Sequence, residues 1–170
     1  LIIETKKEFN KNLELFKFSV EESGRHTTAL LSFNSKVVGF VEAVPVYEHN
    51  PYEDEMDTVS KEIQDVINDK YPKIKAYYGV SSSYMDKRLR GEALAIRLYR
   101  LLAQFIKEEH NGLLVSNEAY EGDGATSTAA SRVWDRVAPN HVLYGDGPSV
   151  DELLKVPVGL RRQRGWRNRR

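Results

Sequence analysis

Apolar residues along this chain recur with two different periods, and the points where the period changes delimit the elements. Leu1 to Thr5 is a short β-branched run. Phe9, Leu13, Phe16 and Val20 then recur at helical spacing, which predicts an amphipathic helix over Lys6 to Ser23, ended by Gly24. Thr27 to Phe33 and Val37 to Val46 are strand-like, and the polar Asn34-Ser35-Lys36 between them predicts an antiparallel hairpin. Tyr47 to Tyr52 reads as a loop. After the acidic Glu53-Asp54-Glu55, the residues Val59, Ile63, Val66 and Ile67 predict a second helix that stops before Pro72. Lys75 to Met85 returns to strand.

The strongest periodic signal lies further on. Leu94, Leu98, Leu101, Leu102 and Phe105 mark one helix face, while Arg97, Arg100, Gln104, Lys107 and Glu108 form only a narrow polar stripe. Most of this helix's circumference is therefore expected to be buried against a sheet. Gly112 to Asn117 is a further strand candidate, Glu121 to Gly124 a flexible loop, Ser127 to Val137 a helix broken by Pro139, and His141 to Tyr144 a short last strand. Ser149-Val150-Asp151-Glu152 has the form of a capping box opening a last short helix. The expected fold class is α/β, one domain over residues 1–160, with a mixed, mostly antiparallel sheet flanked by helices.

Composition narrows the function classes. The 170 residues are 41% hydrophobic and 29% charged, enough apolar surface for one core and outside the disordered and fibrous classes. The chain has no cysteine, which removes disulfides, Cys-ligated metal sites and thiol nucleophiles together. No apolar run reaches the ~18–20 residues that span a bilayer, and Leu1 to Glu4 is too short for a signal h-region. The expectation is a soluble, cytoplasmic protein with no membrane partner. Charge balances at 25 Lys and Arg against 25 Asp and Glu, but six arginines fall between Arg161 and Arg170. Without them, 19 basic residues face 25 acidic ones, so an acidic body of formal charge −6 carries a basic tail. Such a tail resembles an arm for nucleic acid or an acidic partner, with Trp166 able to stack on a base; a solvated terminus is the plainer reading.

Chemistry concentrates where a strand, a basic turn and the long helix follow one another. A helix N-terminus leaves unpaired N–H groups and partial positive charge that favour a bound anion. Here it is flanked by Lys87, Arg88 and Arg90, with Gly91, Ala93 and Ala95 small enough to let a ligand approach the backbone, and with Glu92 opposing. No Gly-Lys-Ser/Thr follows and the three glycines of a dinucleotide fingerprint are missing, so this is neither a P-loop nor a Rossmann turn.

Arg88-Leu89-Arg90-Gly91-Glu92-Ala93 resembles the Arg/Gln-x-x-Gly-x-Gly/Ala signature of the GNAT superfamily of N-acetyltransferases. Tyr84-Met85-Asp86-Lys87 is similar to the end of the family's fourth strand, Ser116 to the end of its fifth, and Ser127 to Trp134 to its fourth helix. The predicted order of strand, helix, two antiparallel strands, strand, helix, strand, helix, strand is similar too. Gly112 to Ser116 and Val133 to Val137 look like bacteriophage-encoded members, which brings in a virion component as a rival reading: a catalytically degenerate accessory protein that uses its arginine tail for contact.

The resemblance implies acetyl-CoA as co-substrate, no metal, and transfer of the acetyl group to an amine of a small molecule or protein. It implies that the Tyr84 and Met85 backbone pairs with the pantetheine arm. The amides of Leu89, Arg90, Gly91, Glu92, Ala93 and Leu94, with the Arg88 and Arg90 side chains, would hold the pyrophosphate, and Ser127 would contact the cofactor. At the family's frequent acid tyrosine this chain has Trp134, which has no acidic proton, and its fourth strand has no carboxylate.

Direct attack of an amine on a thioester needs a base for the nucleophile and an acid for the departing thiolate. Glu42 is the only ionisable residue within Val37 to Val46, and alternation puts it on a face with Val38, Phe40 and Val44. Partial burial there would raise its pKa towards that of a useful base, although a solvated edge carboxylate fits the pattern equally. Tyr84 and Tyr144 are candidate acids, with packing tyrosines the plainer alternative. His26, His49, His110 and His141 lack metal-ligand spacing and read as surface or capping residues. Ser81-Ser82-Ser83 lacks a nucleophile elbow and reads as a polar strand lining a cleft. Glu53 to Asp57 reads as a solvated loop or an attractor of cationic amines.

Overall fold

A computed structural model describes residues 13–46, 58–59, 61–90, 93–116, 120–121, 128–156 and 158. The strands are β1 (Phe16–Ser23), β2 (His26–Phe33), β3 (Lys36–Val46), β4 (Thr58–Val59), β5 (Ala76–Met85), β6 (Gly112–Val115), β7 (Tyr120–Glu121) and β8 (Val142–Leu143). The helices are α1 (Lys61–Lys70), α2 (Leu94–His110), α3 (Thr128–Val137) and α4 (Val150–Lys155). Six strands form one mixed sheet in the order β1-β2-β3-β5-β6-β8, and β4 pairs with β7 separately. Only the β5–β6 pair is parallel, so the expected mixed, mostly antiparallel sheet flanked by helices is present. No helix among the described residues is long and apolar enough to cross a membrane.

The first predicted helix is not formed where it is described. Phe16 to Ser23 is strand β1, paired antiparallel with β2, and residues 1–12 lie outside the described residues. Phe16, Phe18 and Val20 also alternate with Lys17, Ser19 and Glu21, so this stretch carries both periods. The decision falls to cross-strand packing: Phe16 opposes Phe33, with ring centroids 4.8 Å apart at 63°. The predicted helix therefore does not extend over Phe16 to Ser23, and among the described residues the sheet opens as a three-stranded meander. The β2–β3 turn follows the hairpin prediction. Asn34 (φ 47°) and Ser35 (φ 65°) both take positive φ, as a two-residue turn matched to strand twist requires.

Smaller differences follow from pairing. Val59 and Glu121 lie in the short β4 and β7 strands rather than in a helix and a loop. Strand β6 ends at Val115, its following residue Ser116 donating its amide to the His141 carbonyl at 3.0 Å, and Asn117 of the predicted strand lies outside the described residues. The arginine tail and the loop of residues 47–57 lie outside the described residues.

Two cores lie on the two faces of the sheet. On one, α2 packs over Leu31, Val41, Ala43, Val80 and Leu114 with Trp134 from α3 and Leu153 from α4. On the other, Ile67 of α1 meets Val46, Leu113, Val115 and Val142. The polar stripe of α2 is narrower than its sequence suggests: Arg97 and Gln104 are buried with its apolar residues. Arg97 is accommodated by a hydrogen bond from Nη2 to the Val156 carbonyl (2.9 Å) and by the Phe18 ring 4.3 Å below its guanidinium. Helix α2 ends at Asn111 in the left-handed conformation, whose amide donates to the carbonyls of Ile106 and Lys107. Asn111 also ties the helix end to the start of β5, through Lys75 N–H to its carbonyl (3.0 Å).

Candidate functional site

The site is made by an opening in the sheet. Strand β5 pairs with β6 from Ala76↔Gly112 to Gly79↔Val115 and no further. At that point β6, which has β8 on its other side, ends, whereas β5 continues along β3 to Met85. Residues 80–85 of β5 thus have β3 on one side and no strand on the other among the described residues. An unpaired edge of this kind offers backbone donors and acceptors to any extended partner. Ser81, Ser82, Ser83 and Tyr84 are exposed along it, as the polar strand prediction required.

A bulge divides the hydroxyls between the faces. Glu42 opposes Ser82 but Ala43 opposes Val80, leaving Ser81 as the extra residue. Ser83 opposes the buried Val41 and therefore shares the α2 face, while Phe40 opposes Tyr84 on the other face, with ring centroids 6.1 Å apart. Glu42 lies on this second face. Its Oε1 accepts from Ser81 Oγ at 3.1 Å and lies 3.1 Å from His26 Nδ1, and its side chain is 30% exposed. Val38, expected beside Glu42, belongs to the α2-side core instead. The β2–β3 register shifts between Leu31↔Gly39 and Ser32↔Val37, and the extra residue breaks the alternation.

The strand then leads into the helix end through a short 3-10 turn, Lys87–Leu89. Asp86 caps it: Oδ1 accepts the Arg88 amide (2.9 Å) and Arg88 Nε (2.9 Å), and Oδ2 accepts Arg88 Nη2 (2.8 Å). The Arg88 hydrogen bond holds the Asp86 carboxyl below its ordinary pKa, with the charges of Arg88 and Arg90 adding to it against some desolvation. Leu89 is buried, and its amide already donates to the Asp86 carbonyl at 2.9 Å. The Arg90 amide reaches the Lys87 carbonyl (3.4 Å) and its Nε donates to the Met85 carbonyl (3.2 Å). Of the proposed anion ligands, then, the Leu89 and Arg90 amides and the Arg88 guanidinium have partners within the turn. Ala93 precedes α2 in the left-handed conformation (φ 62°) and provides no side-chain cap, and Leu94 begins the helix as a buried residue. Gly91, Glu92 and Ser127 lie outside the described residues.

Two arrangements were not legible in sequence. Ser116 Oγ lies 3.0 Å from His141 Nδ1, and His141 Nε2 lies 3.4 Å from Asp135 Oδ1, with the imidazole stacked on Trp134 at 5.9 Å. The order hydroxyl, imidazole, carboxylate is that of an activated serine, but Ser116 is 0% exposed and its backbone is bound to His141. This array fastens the end of β6 to β8 and α3. The second is Tyr99, whose ring stands edge-on to Trp134 at 5.2 Å and 81°. Of the histidines expected as plain surface or capping residues, His26, His110 and His141 each meet a carboxylate. Among the described residues no cluster of three or more metal-ligating side chains occurs. Tyr144, a candidate acid, instead stacks on Tyr71 at 4.7 Å with Lys107 over its ring, on the α1 side.

Comparison of the chain with protein-family models, with curated proteins and with solved structures found no match.

Proposed function

We propose that the protein is an N-acetyltransferase of the GNAT type that binds acetyl-CoA in the opening between β5 and β6 and transfers the acetyl group to an amine. The observation that carries this reading is the loss of pairing after Gly79↔Val115 on a strand that runs directly into the basic turn and the N-terminus of α2. An extended amide-bearing arm suits an unpaired strand edge, and a diphosphate suits a helix start flanked by cations. Both are features of one continuous ligand, in the right order along the chain.

The nucleophile approaches on the face that holds Glu42. Its carboxylate takes the proton from the attacking amine as the new N–C bond forms and the C–S bond breaks, with His26 and Ser81 fixing its orientation. Tyr84, half-exposed on the same face, lines the approach. The acceptor is an amine that fits against Phe40 and Tyr84.

The test is direct. Acetyl-CoA should raise the melting temperature, and Gly91→Val, which puts a branched side chain at the glycine of the signature, should remove the shift. Turnover with an amine panel should fall in Glu42→Gln while acetyl-CoA affinity stays unchanged. No thermal shift at saturating acetyl-CoA, together with no displacement of a fluorescent CoA, would overturn the reading and leave the opening as a docking edge for an extended peptide.

A further inference from the structure

Tyr99 is 2% exposed, yet its hydroxyl oxygen is shut off from solvent without a hydrogen-bond partner. Nearly all buried hydroxyls in folded proteins are paired, and phenylalanine would fill the same space without leaving a polar atom orphaned. Burial pushes the phenol above its ordinary pKa of 10, and the nearby Ser83 side chain opposes that rise without completing a hydrogen bond of normal geometry. Ser83 is exposed, faces α2, and sits on the stretch of β5 that has lost its neighbour strand. The phenol is therefore aimed from the second turn of α2 at the opening, with the exposed Ser83 side chain between it and solvent.

We propose that the Tyr99 hydroxyl, uncovered by rotation of Ser83, is the hydrogen-bond donor to the sulfur of coenzyme A in the opening beside Ser83. This rests on the acetyl-CoA reading above. The diphosphate end belongs at the start of α2, so the arm runs back along β5 from Met85 past Ser83, in the direction of Gly79 and Val115, where the strands meet. Glu42 and Tyr84 occupy the opposite face of β5, so the amine arrives from one side and the sulfur departs on the other, where Trp134 has no acidic proton to offer. When the C–S bond breaks, its electron pair stays on sulfur and the amine proton goes to Glu42. The thiolate accepts the Tyr99 O–H as a hydrogen bond. The proton itself remains on the phenol, because a thiol of pKa about 8.5 is the stronger acid, and sulfur takes its proton from water on release.

Tyr99→Phe tests this with two probes, coenzyme A and its desulfo analogue, in which hydrogen replaces the thiol. The ligand-free variant should melt at or above the wild-type temperature. Its affinity for coenzyme A should fall roughly two- to tenfold, the range for one hydrogen bond, while desulfo-CoA binds as before. The turnover number should fall with little change in KM for the amine. Ser83→Ala, which leaves the core intact, should leave the phenol uncovered and preserve the discrimination between the two probes. If wild type binds coenzyme A and Tyr99→Phe keeps the full preference over desulfo-CoA, the assignment of Tyr99 is wrong and the acetyl-CoA reading stands. If wild type binds neither probe, both fall together.

Discussion

Asp86 joins the strand edge to the helix start, and removing its carboxylate separates two contributions that the structure superimposes. One oxygen caps the 3-10 turn through the Arg88 amide, and the pair of oxygens grips the Arg88 guanidinium at 2.8 and 2.9 Å. A side-chain cap of this kind contributes about 1 kcal/mol. The ion pair has favourable two-point geometry, but Arg88 is 35% exposed and Asp86 17%, so solvent screening reduces it to about 1 kcal/mol. Asp86→Ala should therefore cost about 2 kcal/mol at pH 7, or about 4–8 °C in Tm for a chain of this size. Asp86→Asn keeps an acceptor for the amide and should cost about half as much. The acidity of the folded-state carboxyl fixes the pH dependence. Because Arg88 lowers its pKa, the charge-dependent stabilisation is complete above the unfolded value near 3.8 and is lost as pH falls through the lower folded value. Urea unfolding at pH 7 and pH 3 should show the gap between wild type and Asp86→Asn closing, while the gap between the two variants persists. An Asp86→Ala variant within 0.5 kcal/mol of wild type at pH 7, or a gap to Asp86→Asn that ignores pH, would refute this account. Freed from Asp86, Arg88 in the Asn variant should also bind acetyl-CoA several-fold more tightly.

Other substitutions test the frame around the site. Gly145→Ala would put a Cβ 2.6 Å from the Ala103 carbonyl oxygen and the Gln104 Cα, both backbone atoms of α2. It should cost about 1–3 kcal/mol in denaturant titrations, and a neutral result would mean that the loop after β8 does not sit against the helix. Ala93→Gly should stabilise the protein by about 0.5–1 kcal/mol, because alanine is held there at φ 62°; destabilisation would show that this backbone conformation is not maintained in solution. Ser149→Ala removes a capping box whose two bonds, at 2.8 and 3.3 Å, are both formed, and should cost about 1 kcal/mol of helix stability, read as faster amide exchange in α4.

Where one period dominates, the elements were readable from sequence, and they failed where two periods coexist. The long helix α2, the β2–β3 hairpin and the Ser149 capping box rest on local signals: a dense apolar face, a pair of turn residues that tolerate positive φ, and a cap with its reciprocal glutamate. Phe16 to Val20 fits a helix through its spacing from Phe9 and Leu13 and fits a strand through its own alternation. The deciding contact, Phe33, lies 17 positions away. The same distinction applies to the site. Its basic turn and hydroxyl-rich strand were legible because their residues are contiguous. The orphaned Tyr99 hydroxyl was not, because a tyrosine on the apolar face of a helix is indistinguishable in sequence from ordinary core. The Ser116–His141–Asp135 array joins β6, the turn before β8, and α3, and no spacing rule connects them.

The opening depends on where hydrogen bonds stop as much as on side chains. The amide of Ser116 donates to the His141 carbonyl just after Val115, which carries the β6–β8 ladder one residue past the last β5–β6 pair, close to where β5 acquires its extra residue, Ser81. The bulge shifts the alternation of β5, so that Ser83 faces α2 while Ser82 and Tyr84 stay with Glu42. Past the inserted residue each face of a single unpaired strand carries a hydroxyl, with a carboxylate behind one and a phenol behind the other. Deleting Ser81 would restore a regular ladder in which Val80 and Ser82 stay opposite Ala43 and Glu42, so the faces from Ser82 onward are kept. Ser82 would still meet Glu42, Ser83 Val41 and Tyr84 Phe40, and the hydroxyl that donates to Glu42 would be lost. Such a deletion should therefore retain ligand binding if the sheet still folds, as should Ser81→Ala, which removes the same hydroxyl and keeps the bulge. Binding lost in the deletion and kept in Ser81→Ala would mean that the bulge itself, and not the pairing around it, creates the site.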